Sequence, residues 1–199
     1  MDAGAGEIVR GCRLQSGCRL PAFLILAQLL WFALACSSDS IRDRPISFSE
    51  WRAQQTIEYV NKRYAVRQQT LEMLPVMVVS HYTAMDSLEV SYNYMNREEM
   101  ESGRSQLKKA GGANIAVHYL VGKAGEIFRL MPENKIGRHV IGLNRHAIGI
   151  ENVGRDENSL TMAQVEANAL IIRRLAKQFP LRYLIGHSEY RKFEKTPLW

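Results

Sequence analysis

Val76-Met77-Val78-Val79-Ser80-His81 is an uncharged, Val-rich run that leads straight into an imidazole. An apolar stretch of this length reads as a β-strand. The pattern returns twice downstream. Arg182-Tyr183-Leu184-Ile185-Gly186 leads into His187, and Ala147-Ile148-Gly149-Ile150 leads into Glu151. Strand ends that meet in one sheet put two imidazoles and a carboxylate around one point. Those groups are the raw material of an open zinc site with a general base. A buried strand rarely ends in His or Glu for packing reasons alone. The plainer reading of Glu151 is a solvated carboxylate at a strand end.

Working outward, strands alternate with helical patterns. Phe48 to Leu74 reads mostly as helix, with Ser49 as its cap and Pro75 as its stop. Residues 86–110 are polar and predicted helical, up to the break at Gly111-Gly112. Asn114 to Val121 and Glu126 to Leu130 are β-rich and flank the turn Gly122-Lys123-Ala124-Gly125, a hairpin signal. Pro132 to Arg145 reads as loop, and 154–159 as a turn. Thr161-Met162-Ala163-Gln164 is a capping-box pattern. It opens a helix whose apolar face is predicted to be Val165, Ala169, Ile172 and Ala176. Interleaved strands and helices predict an α/β fold, a mixed central sheet flanked by helices.

The N-terminus points to export. Arg10, Arg13 and Arg19 precede the apolar run from Pro21 to Ala35, which is too short to span a bilayer as a helix. Cys36 follows Ala33-Leu34-Ala35 at once, and Ser37-Ser38-Asp39-Ser40 comes next. This resembles a bacterial lipobox, with Ala33 where Leu is usual. Ala33-Leu34-Ala35 also fits an ordinary small-x-small cleavage site. The expectation is a signal peptide over 1–36 with Cys36 lipidated, then a tether and N-terminal helix over 37–73. A catalytic domain over 74–199 follows. Two of the three cysteines, Cys12 and Cys18, fall within the signal, so the exported domain holds together without a disulfide. The net charge of +6 fits an anionic polymer or anionic lipid surface, or simply solubility. Nucleic acid is excluded as a partner outside the cytoplasm.

The ordered series His81-Tyr82-Thr83, Val117-His118-Tyr119, Gly125-Glu126-Ile127, His139, Asn144 to Glu151, Thr161-x-x-Gln164 and Gly186-His187-Ser188 resembles the zinc-dependent N-acetylmuramoyl-L-alanine amidases. That group includes phage T7 lysozyme and the peptidoglycan recognition proteins. The likeness covers residues 74–190. With the signal and Cys36 it is similar to lipoprotein amidases on the periplasmic face of the outer membrane, or in the periplasm if the lipid is absent.

The resemblance implies cleavage of the amide between N-acetylmuramic acid and L-alanine of the stem peptide, in peptidoglycan or muropeptides. It implies Zn2+ held by His81, His187 and a third ligand, with Glu151 as the proton acceptor. Tyr82, His139 and Asn144 are implied to bind substrate. Some relatives use a Tyr where this chain has Val117, so the carboxylate variant applies. His118 is open between a supporting and a purely structural role, and His146 reads as structural. Family members end the site with Lys-x-Asp-Pro-Gly or a Cys-containing segment. Here Lys195-Thr196-Pro197 echoes it with no Asp or Cys after it. Either the ligand and the Lys lie past residue 199, which is the expectation, or the site has decayed. Decay would make the protein a metal-free, membrane-anchored peptidoglycan-binding protein of the same fold. An esterase or peptidase using the same site is a third reading.

Overall fold

The computed structural model describes residues 40–103 and 111–199. The expected signal peptide, Cys36 and the part of the polar segment at 104–110 lie outside them. Six strands form one sheet: β1 (Ile41–Asp43), β2 (Met77–Tyr82), β3 (Tyr119–Val121), β4 (Ile127–Arg129), β5 (Ala147–Asn152) and β6 (Tyr183–Gly186). Their order is β1-β4-β3-β5-β2-β6. All pairings are parallel except the β3–β4 hairpin. The hairpin turns through Gly125 at φ +87°, a conformation open to glycine at little cost. This is the mixed α/β sheet that the sequence predicts.

Parallel register carries the site. β2 and β5 align from Met77 opposite Ala147 to Tyr82 opposite Asn152, which puts His81 opposite Glu151. β2 and β6 align until Ser80 meets Gly186, so His187 is the first residue past the end of β6. Successive side chains alternate between faces. Val78, Ile148 and Ile150 enter one core with Ile171 and Leu175. Met77, Val79, Ala147 and Ile185 enter a second core on the other face, with Val140 and Leu143. His81, Glu151 and His187 continue the alternation of this second face past its apolar end.

Helix α1 (Glu50–Tyr64) starts at the predicted cap, with Ser49 accepting from the Arg52 N–H. It stops at Ala65 in the left-handed region, ten residues before Pro75. Arg52, fully buried, ties α1 to its surroundings by donating to the carbonyls of Ser47, Met95 and Ile115. Helix α2 (Leu88–Asn96) is much shorter than the 86–110 predicted. Glu99 instead forms a bridge with Ala113, and the Asn114 amide holds the carbonyls of Tyr94 and Arg97.

Helix α3 (Met162–Ala176) opens with the predicted capping box. Its buried face is Gln164, Ala167, Ile171 and Leu175 rather than the Val165 stripe. The helix is turned by one residue, about 100°, because the Gln164 amide reaches the carbonyls of Val121 and Val153 at the strand ends. The 37–47 stretch, expected as tether, is part of the fold from Ile41 onward. β1 pairs with β4, Asp43 bridges to Arg129, and Ile46 is buried. No helix among the described residues is long and apolar enough to cross a membrane.

Candidate active site

A cleft of about 660 Å³ opens at the C-terminal ends of β2, β5 and β6. Its lining includes His81, Glu151 and His187, the three residues read from strand ends, together with Tyr82. His81 Nδ1 and His187 Nδ1 face each other at 2.9 Å. The Glu151 side chain, 8% exposed, comes from the register position beside His81. Tyr82 is exposed at the cleft mouth, where a substrate contact is expected. Ile115, Glu157 and Leu160 also line the walls. These three carry no sequence signature, because loops with no regular spacing bring them there.

The turn that presents His187 is anchored locally. Gly186 N–H donates to the Glu189 carboxylate, and Lys192 pairs with the same group. Beyond it, Tyr190 lies beside the His187 ring, and Trp199 stacks on Tyr190. Leu198 and Trp199 pack against the second core. A Cβ on Gly142 would fall 2.3 Å from the Trp199 ring, so Gly142 is the seat for that indole.

Asn144 requires correction, whereas His139 lines the cleft. Both were expected to touch substrate. Asn144 is 1% exposed, and its Oδ1 accepts from the backbone N–H groups of His139 and Val140. Its own N–H donates to the Tyr64 hydroxyl. It is a loop clamp with no face toward the cleft. His139 reaches the cleft floor, but both ring nitrogens are engaged, Nδ1 with His81 Nε2 at 3.1 Å and Nε2 with the Ala147 carbonyl at 3.1 Å. His118 resolves as structural: its Nδ1 accepts from Gly149 N–H and its Nε2 donates to the Lys135 carbonyl. The rings of His118, His139, His81 and His187 thus form a row from core to cleft, with centroids 5.8, 5.2 and 4.8 Å apart.

Burial keeps this row neutral. It pushes His81 down to about 3, helped by repulsion from His187, and His118 down to about 4. Burial, then the neighbouring imidazoles, holds His139 well below the usual histidine range. His187 is lowered by burial alone. Neutral imidazoles offer lone pairs at neutral pH, which a metal ion requires. His81 and His187 are the pair placed to do so. Among the described residues no cluster of three or more His, Cys, Asp or Glu is arranged to hold a metal ion.

The α/β sheet thus presents two histidines and one carboxylate in a cleft at its strand ends. The sequence pattern of the family described as N-acetylmuramoyl-L-alanine amidase matches residues 72–197. The chain belongs to the N-acetylmuramoyl-L-alanine amidase family, whose members are peptidoglycan hydrolases. No curated protein sequence matches it.

Solved structures share the fold. N-acetylmuramoyl-L-alanine amidase LysC from Clostridium intestinale URNW is similar with a TM-score of 0.52 and 20% identity, over 78% of this chain and 88% of that one. The Staphylococcus aureus hydrolase AmiA, solved in complex with its ligand, gives 0.52 and 14% over 84% and 74%. Peptidoglycan recognition protein LE, solved with tracheal cytotoxin, a monomeric diaminopimelic acid-type peptidoglycan, gives 0.50 and 21% over 80% and 95%.

Proposed function

We propose that this protein is a zinc-dependent amidase that cleaves the bond between the lactyl group of N-acetylmuramic acid and L-alanine of the stem peptide, in peptidoglycan or muropeptides. The observation that carries the reading is the facing pair of Nδ1 atoms, 2.9 Å apart, beside the Glu151 carboxylate in an open cleft. Two ligands of a tetrahedral zinc at 2.0–2.1 Å stand about 3.3 Å apart, so the pair needs only a small opening to hold the ion. His81 and His187 are two of the three protein ligands that a catalytic zinc site uses. When bound, zinc would polarise the amide carbonyl and lower the pKa of a bound water to about 7.

The chain's own groups do the rest. Glu151 accepts the proton of the attacking water as the new C–O bond forms. It then delivers that proton to the amide nitrogen as the C–N bond breaks, so the L-alanine amine leaves neutral. Tyr82 and Leu160 flank the cleft and contact the substrate. Export rests on the basic flank and apolar run at 10–35, and anchoring on Cys36. On this reading the enzyme is a lipoprotein on the periplasmic face of the outer membrane.

Zinc content after dialysis of the full chain at neutral pH tests the reading. The expected result is one zinc per chain, lost in His81→Ala and His187→Ala. Muropeptide binding by a wild-type protein that takes up no zinc would overturn it in favour of a metal-free binding protein.

A further inference from the structure

His139 sits behind His81 in bonds whose direction chemistry fixes. The Ala147 carbonyl, 3.1 Å from His139 Nε2, can only accept, so Nε2 carries the proton. In the neutral ring Nδ1 is then an acceptor, and it lies 3.1 Å from His81 Nε2. His81 must donate there. A neutral His81 with its proton on Nε2 has its lone pair on Nδ1, the atom that faces His187.

The surroundings hold His139 in place for this. Asn144 pins its backbone N–H. Its ring lies flat against Gly149, where an added Cβ would fall 2.8 Å from its Cγ and Nδ1. Gly149 has no positive φ, so the missing side chain provides space rather than conformational freedom. The His118 ring, fixed at both nitrogens, meets His139 edge-on.

We propose that His139 is a positioning residue: it locks His81 in the Nε2–H tautomer and thereby aims the Nδ1 lone pair at the metal position. This rests on the zinc reading above. The hydrogen-bond chain ends at a backbone carbonyl, so it orients the ligand and conducts no proton onward. In the metal-free protein the His187 Nδ1–H donates to His81 Nδ1, and metal uptake moves that proton to His187 Nε2.

The test uses the full chain. Long-range proton–nitrogen correlation spectra of the metal-free wild type should show His81 protonated at Nε2 and bare at Nδ1. This spectrum needs no variant. Zinc affinity by chelator competition should then fall about 10–100-fold in His139→Leu. It should stay near wild type in His139→Asn, whose amide oxygen replaces the Nδ1 acceptor. A His81 protonated at Nδ1 overturns the proposal, as does equal zinc affinity in His139→Leu and wild type. A wild type that binds no zinc at all overturns the functional reading and the proposal together, and is told apart by that control.

Discussion

Gly149 and His139 share one small volume, and the arrangement of the site depends on that sharing. Alanine at 149 drives a methyl group into the imidazole at 2.8 Å. Overpacking of this kind costs about 1–3 kcal/mol. Gly149→Ala is therefore expected to lower stability by that order, read by urea unfolding, and to weaken zinc binding alongside. Unchanged stability and zinc affinity would show that the ring has room to spare. At this scale the sequence was legible where a chemical group interrupts an apolar run. His81, Glu151 and His187 stood out for that reason. Asn144 was found as a motif residue but given the wrong task, and His139 was found without the bonds that fix its ring. Their partners are an imidazole and backbone groups of other segments, and no spacing rule reports such contacts. Gly149 itself was the available signal, because glycine inside a strand often marks close approach of another group.

Strand register does at the element scale what no single residue can. His81 opposite Glu151, and Ser80 opposite Gly186, follow from three parallel strands in register, with β6 ending two residues before the other two. The strand positions were readable because each is an apolar run with clear bounds. Helix α3 was readable in extent and cap but not in rotation, since the face it buries is chosen by Gln164 bonding to Val121 and Val153. A polar residue on the buried face defeats a hydrophobic period. The polar stretch after Asp86 misled for the opposite reason: helix-forming composition continues past Asn96, while tertiary bonds to Asn114 fix the chain in another form. Thr161 caps α3 and also donates to the Lys123 carbonyl, which joins the helix to the hairpin turn. Thr161→Ala is expected to cost about 1 kcal/mol, seen as a lower midpoint in urea. Zinc affinity should not change, since Thr161 bonds to Gln164 and Lys123 and to neither histidine of the pair. A loss of zinc with the cap would contradict that independence.

Across the whole molecule, the row of buried histidines ties stability to pH. His81, His118 and His139 have folded pKa values below the ordinary histidine value, about 6.5 when unfolded. Below that pH the unfolded chain binds protons that the folded chain refuses, so stability falls with falling pH. The loss begins near pH 6.5 and ends only near the folded values. Its slope reaches at most about 1.4 kcal/mol per pH unit for each histidine. Asp43 and Glu89 are lowered by Arg129 and Arg44, and their contribution is lost at more acid pH, as carboxylates titrate. The metal-free protein should therefore show Tm falling steadily from pH 6.5 to 5, before those carboxylates protonate. A flat profile over that interval would contradict neutral burial of the row. The bond that is broken is read out by mass spectrometry of a muramoyl-peptide treated with the zinc-loaded full chain. One added water and two products are expected, a lactyl carboxylate on the sugar and a peptide with a free L-alanine amine. The rate should be about 10²–10⁴-fold lower in Glu151→Gln. Intact substrate, cleavage at any other bond, or full turnover by Glu151→Gln would contradict the proposed cleavage.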